Sequence, residues 1–276
     1  MQVSRPRRIG QVMGVVNVTP DSFSDGGRYL DHAAALAHAR ALVAQGADWI
    51  DIGGESTRPG AEPVPVDEER RRVVPVVTAL AAEGVPTSVD TRTAAVADAA
   101  VAAGARMVTD VSASPALAAV AAAGGAAYVA MHMQGEPRTM QDAPAYADVV
   151  TEVRDHLVAR ADAARAAGVD DVYVDPGIGF GKTLAHNLDL LANLDVLVAT
   201  GYPVLVGTSR KGMLGTLAAR ADAAGAVPPA GDRLEGSVAT AVWALLRGAA
   251  MVRVHDVAAT VRAVEAIQVV VAAPAA

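Results

Sequence analysis

The sequence predicts an α/β fold, a single (β/α)8 TIM barrel over residues 1–276, from three observations. Eight short β-type runs alternate with Ala-, Leu- and Val-rich segments of helical spacing. A strand followed by a helix of 10–20 residues implies parallel pairing with a crossover. No Pro/Gly/Ser-rich linker divides the chain, which favours one closed barrel over two nucleotide-binding halves. An open doubly wound sheet remains the competitor, because it has the same alternation. Every β-type run also ends in polar or Gly-rich residues, and barrels build their active sites at the C-terminal ends of the strands.

Taken in order, the β-type runs are 11–16, 49–53, 86–90, 106–110, 126–132, 171–175, 203–208 and 250–254. Helical spacing covers 33–45, 68–82, 91–103, 149–167, 184–200, 235–246 and 257–271. The uncharged stretch 111–131 has the length of a membrane span. It is mostly Ala, interrupted by Pro115 and by Gly124-Gly125, so it reads as a buried helix followed by a strand.

Composition narrows the functions. The chain is 52% hydrophobic and 19% charged, enough to bury a core and too apolar for a disordered tail. Its formal charge of −7 argues against nucleic-acid or anionic-membrane partners, so an anionic ligand must be held locally. With no cysteine there is no disulfide, zinc thiolate or thiol nucleophile, which fits a reducing cytoplasm. Arg5, Arg7 and Arg8 precede an apolar run at 12–16 that is too short for a signal peptide, so secretion is not expected. Among 23 basic residues only Lys182 and Lys211 are lysines, and both fall in loops after β-type runs.

Several polar residues after the runs have ordinary explanations. Asp25 and Asp110 suit helix caps. His132 suits a satisfied core histidine, and His32, His38, His156 and His186 suit helix surfaces. No metal-binding His spacing occurs. Asp90 and Asp175 differ, because each ends an apolar run and must point its carboxylate into the barrel mouth, where burial without a donor is costly. Arg253 and His255 are two apart and share a face, and Lys211 opens the helix of the preceding unit. With the backbone N–H groups of residues 209–212 they predict a site for a phosphorylated small molecule. The 177–183 segment is no P-loop, because Pro176 stands where the first glycine is required.

Six motifs in order carry a resemblance over residues 12 to about 257. They are Asn17-Val-Thr-Pro-Asp-Ser-Phe-Ser-Asp-Gly-Gly27, Asp51-Ile-Gly-Gly-Glu-Ser-Thr-Arg-Pro-Gly-Ala61, Ser88-Val-Asp-Thr91, Asp175-Pro-Gly-Ile-Gly-Phe-Gly-Lys182, Ser209-Arg-Lys211 and Arg253-Val-His-Asp256. Together they resemble the dihydropteroate synthase family. The resemblance implies transfer of a dihydropterin-methyl group from its diphosphate to 4-aminobenzoate, releasing pyrophosphate and forming dihydropteroate for folate. It implies that Asp90, Asp175, Lys211 and Arg253 are catalytic. Asp90, Asp175 and Lys211 would hold the pterin with Thr109 at its edge, Asn17, Arg253 and His255 the diphosphate, Phe23, Thr57, Arg58 and Pro59 would close over the aminobenzoate, and Gly207 would be a further substrate contact. It further implies Mg²⁺ at Asn17, a cytoplasmic homodimer, and sulfonamides as inhibitors; the Ala/Val-rich last helices could supply a flat interface, which no motif locates.

The chemistry of the residue types agrees with this. Buried carboxylates accept N–H groups of a pterin edge, a lysine supplies the complementary donor, and cations stabilise a departing diphosphate without a protein nucleophile. One departure stands out. Where the family has Asn-Asp after strand four, this chain has Thr109-Asp110. A hydroxyl cannot donate and accept in one plane as an amide does, and one unpaired edge group costs about 1–3 kcal/mol, so weaker pterin binding is expected. Two rivals follow: a pterin-dependent methyltransferase, which needs neither the Ser-Phe-Ser-Asp-Gly-Gly loop nor Ser-Arg-Lys, and a silent paralogue supported by Thr109 alone.

Overall fold

The computed structural model describes residues 8–19, 32–55, 64–136, 138–223 and 225–272. Eight strands are β1 (Gln11–Asn17), β2 (Trp49–Gly53), β3 (Thr87–Asp90), β4 (Met107–Asp110), β5 (Ala127–Met131), β6 (Val172–Asp175), β7 (Leu205–Val206) and β8 (Met251–Val254). Between and after them come α1 (His32–Gln45), α2 (Val66–Ala82), α3 (Ala94–Ala102), α4 (Pro115–Gly124) and α5 (Val149–Ala166). The series continues with α6 (Leu184–Ala192), α7 (Leu194–Val198), α8 (Gly212–Ala221), α9 (Leu234–Leu246) and α10 (Val257–Ala272). All pairings are parallel in the order β6-β5-β4-β3-β2-β1-β8-β7. A parallel bridge from Val174 to Val204, with Val174 N donating to Pro203 O at 3.0 Å, brings β6 to the β7 edge and closes the barrel.

Differences from the expected boundaries have local causes. The run 111–131 does split into helix and strand. Ser114 caps α4 by accepting from Ala116 N, Pro115 fills its first turn, and Gly125 ends it in the left-handed conformation at φ 65°. The helix expected over 184–200 breaks at Asn193, whose backbone leaves helical values. The β-type run 203–208 shortens to the strand Leu205–Val206 with Val204 bridged to Val174, and Pro203 has no N–H to extend the pairing toward its start.

Register fixes which residues face inward. Met13 pairs with Trp49 and Arg253, Val15 with Asp51, Asp51 with Ser88, and Gly53 with both Asn17 and Asp90. Side chains alternate along a strand, so these residues share the interior face, while Val12, Val16, Ile50 and Ile52 pack outward under the helices. The barrel floor is a separate apolar cluster of Met13, Met107, Val129, Leu205 and Met251, backed by Trp49 and Tyr173. These five are fully buried, and each such side chain contributes about 1.5–3 kcal/mol of transfer free energy. A packed floor leaves one open end, at the C-terminal edges of the strands. No helix among the described residues is long and apolar enough to cross a membrane.

Candidate active site

On the β2, β3 and β8 side the functional groups are carried by the strands themselves. Arg253 donates from Nε to Asp51 Oδ2 at 2.6 Å and from Nη2 to Asp90 Oδ2 at 2.9 Å. Asp51 is fully buried, and its other oxygen accepts from Thr109 Oγ1 at 3.4 Å, while Thr109 shares a 2.7 Å bond with Ser88 Oγ. Burial pushes the Asp90 carboxyl above the usual carboxylate range, against the pull of Arg253, and the two acids hold the guanidinium firmly charged. Asn17 takes the topmost inward position of β1. A Cβ built on Gly53 would meet Asn17 Oδ1 at 3.6 Å and the Asp90 Cβ at 3.7 Å, so the amide oxygen borders the same opening.

On the β6 and β7 side a turn does the positioning. Asp175 ends β6, buried, and its Oδ1 accepts from Gly177 N at 2.7 Å. Burial raises its pKa, opposed chiefly by Lys211. The turn then runs through Gly177, Gly179 and Gly181, all with positive φ. At Gly177 a Cβ would lie 1.8 Å from His132 O, and at Gly181 2.3 Å from Gln134 O, so only glycine lets the turn lie this close against the end of β5. Its outer half is tied by Gln141 Nε2 to Gly179 O, Tyr146 Oη to Gly181 O, and Gly179 N to Asn187 Oδ1. Lys211 donates to Ile178 O and lies over the Phe180 ring, 4.4 Å from its centroid. Its pKa is pushed down to about 8 by burial, with Asp175 the largest opposing influence.

The third wall joins β7 to β8. Ser209 Oγ accepts from His255 N at 3.1 Å and lies 3.1 Å from His255 Nδ1. Arg210 sits at φ 60°, a conformation L-residues seldom adopt, and grips Asp256 with two bonds of 3.0 and 2.6 Å. Arg210 N donates to Ser237 Oγ and Lys211 N to Thr208 O, so two of the four N–H groups expected for an anion are already engaged. Gly207 is buried beside Arg253, whose Cβ would lie 3.7 Å from an added methyl.

Of the residues expected from the sequence, the structure brings Asp90, Thr109 and Arg253 into one hydrogen-bonded network, with Asn17 and Gly207 at its edge. Asp175 and Lys211 meet through the 177–178 backbone, and His255 stands beside Ser209, two residues from Lys211. Phe23, Thr57, Arg58, Pro59 and Asp25 lie outside the described residues. Asp110 is no helix cap: it accepts from Ser112 N, Ser112 Oγ, Ser114 N and Tyr128 Oη and folds its own turn. His132 is the expected core histidine, held neutral by burial that lowers its pKa to about 3. His156 stacks edge-on against it, ring centroids 5.0 Å apart, and is half-buried, not a surface residue. Sequence reasoning missed Asp51 and Ser88 because it searched only the ends of strands. Their signal was the inward alternation Trp49, Asp51, Gly53 and Ser88, Asp90.

Comparison with known proteins places this mouth. Residues 13–255 match the family of pterin binding enzymes. The dihydropteroate synthase of Mycobacterium leprae (strain TN) is 51% identical over 263 residues, covering 93% of this chain and 92% of that protein. The chain belongs to the dihydropteroate synthase family. Its members are transferases, and this one forms dihydropteroate in folate biosynthesis. The Xanthomonas albilineans dihydropteroate synthase with 4-aminobenzoic acid superposes with a TM-score of 0.87 at 50% identity, covering 96% of this chain and 94% of that one. The same enzyme in complex with 7,8-dihydropteroate gives 0.84 at 46%, covering 99% and 97%. The methyltransferase rival is thereby set aside.

Proposed function

We propose that the mouth condenses a dihydropterin-methyl diphosphate with 4-aminobenzoate by separating charge before the new bond forms. The C–O bond to the diphosphate breaks, a C–N bond to the arylamine forms, pyrophosphate departs, and the amine proton passes to solvent or to the departing pyrophosphate. Asp175 and Lys211 grip the pterin, the acid accepting ring N–H groups and the ammonium donating to the opposite edge, with Thr109 nearby. Asp90 and Asp175 stabilise the cationic pterin-methyl fragment in a site sheltered from water. Arg253, His255 and Asn17 take the diphosphate. The observation that carries this reading is Arg253 held between Asp51 and Asp90. In that place a cation stays charged and aimed at the opening, and its bond to Asp90 links the leaving-group clamp to the pterin pocket.

Mg²⁺ suits the donor set. Among the described residues no group of three or more His, Cys, Asp or Glu side chains converges as a metal cage. Mg²⁺ prefers few protein oxygens with phosphate oxygens and water, and the Asn17 amide oxygen at the mouth is such a donor. Bound there with the diphosphate, the ion would neutralise charge on the leaving group.

We also propose a cytoplasmic homodimer. The absence of cysteine supports the compartment. Exposed Trp243 and Leu246 on α9 and Val269, Val270 and Val271 on α10 support an interface through the last helices. Light scattering on the purified chain tests the oligomer.

Pyrophosphate release measured with both substrates and Mg²⁺ tests the reaction. Release with all three present is expected. Pyrophosphate release without 4-aminobenzoate, the cation being trapped by water, agrees with cleavage before bond formation, whereas no release with all three present overturns the mechanism. Thr109, the support for a silent paralogue, stays inside the network, bonded to Ser88 and Asp51, and leaves the charged groups in place.

A further inference from the structure

Of the two lysines, Lys211 faces the mouth and Lys182 does not. Lys182 ends the Gly-rich turn, is only 3% exposed, and has four hydrogen-bond partners around its Nζ. They are His132 Nδ1 at 2.9 Å, His132 O at 3.3 Å, Gly177 O at 3.0 Å and Phe180 O at 2.9 Å. Burying a cation is costly unless its donors are met, and here the amine faces three carbonyls and an imidazole nitrogen. His132 Nδ1 accepts from the ammonium in one tautomer and donates to the neutral amine in the other, so the carbonyl bonds persist in either state. Burial lowers the pKa to about 7, with Asp175 the counter-charge that raises it.

The turn connects this buried ammonium to the site. Gly177 carries both halves of the link: its carbonyl accepts from Lys182, and its N–H donates to Asp175 Oδ1. The next carbonyl, that of Ile178, accepts from Lys211. Gln141, Tyr146 and Asn187 hold residues 179 and 181 and make no bond to Gly177 or Ile178. The outer turn therefore has its own supports; the Gly177 carbonyl also accepts from Phe180 N at 3.0 Å inside the turn, and Lys182 is what ties it to the His132 carbonyl past β5.

We propose that Lys182 is a positioning residue for the pterin end of the site, pinning the 177–180 backbone to the end of β5 so that Asp175 and Lys211 are set at their working separation. The inference rests on the reading that Asp175 and Lys211 hold the pterin. Lys182 touches no substrate. Loss of its ammonium loosens the pterin grip and leaves the phosphate end, carried by Arg253, His255 and Asn17, as it was.

Lys182→Met fills a similar volume without donors. Calorimetric titration of the full chain with the dihydropterin alcohol lacking its diphosphate, and separately with pyrophosphate and Mg²⁺, reads the two ends. A pterin Kd raised at least tenfold is expected, with the pyrophosphate Kd and the KM for 4-aminobenzoate within twofold. Lys182→Arg, which keeps the cation, should recover part of the pterin affinity, and Tyr146→Phe should lose less than threefold. Equal losses at both ends, or none at either, overturn the proposal. If Lys182→Met does not fold, Lys182→Gln is read on the same ratio of affinities. Asp175→Asn in the same titration separates the two levels of argument. If it binds the pterin alcohol as the native chain does, the site reading falls. If it loses affinity while Lys182→Met does not, only the role of Lys182 falls.

Discussion

The two sides of the barrel mouth place their charges by different means. Asp51, Asp90 and Arg253 stand on β2, β3 and β8, where register sets their spacing, and they bond one another directly. Asp175 and Lys211 belong to β6 and the start of α8, and each bonds backbone atoms of the turn between them. A strand-borne group inherits its position from the pleat. A group that leans on a turn is placed only as well as the turn is held, so residues remote from substrate, such as Lys182 and Asn187, become part of the site's precision.

Breaking the strand-borne side should have the largest effect. Arg253→Met leaves two neighbouring acids without their cation, one of them fully buried. We expect a loss of about 3–5 kcal/mol in denaturant unfolding and at least about 10³-fold in kcat/KM for the pterin ester. An unfolding midpoint within error of the native chain would mean that the pairing contributes nothing. On the turn-borne side, Asp175→Asn removes one charge-assisted acceptor. Pterin-ester KM should rise about ten- to hundredfold, with the KM for 4-aminobenzoate little changed, in steady-state assays.

A pH profile compares the two sides at once. Asp90, raised by burial to about 7, gains its proton near neutrality, so kcat/KM should fall on the acid side from there, and Asp175, also raised by burial, adds to the fall. Lys211, lowered to about 8, loses its proton as pH rises, so the alkaline limb should appear there. Lys211→Arg should move that limb upward and leave the acid limb in place. A profile flat from pH 6 to about 9 would contradict both assignments. The smallest effect belongs to Thr109→Asn. The amide offers the pterin edge a planar donor and acceptor but takes the hydroxyl away from Ser88 and Asp51, so the gain in pterin KM should stay under about tenfold. No change in KM would show that Thr109 costs this chain nothing.

Legibility in the sequence follows the same division. Asp90, Arg253 and Asp175 were visible because each polar residue interrupts or ends an apolar run whose direction is fixed by a period of two. Asp51 obeys the same period and was missed only because it lies one pleat below the strand end. Lys182 was visible as one of two lysines, but its meaning was not. Its partners, His132 and the carbonyls of residues 177 and 180, come together through three left-handed glycines that no periodicity describes.

Alternating apolar periodicity, polar strand ends and six ordered motifs were enough, by themselves, to determine the barrel, its family and the residue types at its mouth, because each is a local property of neighbouring residues. Tertiary structure alone decided who pairs with whom: Arg253 with Asp51 across 202 positions, Thr109 with Ser88, and Lys182 with the turn that holds Asp175 and Lys211. Such pairings depend on strand register and loop closure, and both are settled only when the whole sheet closes.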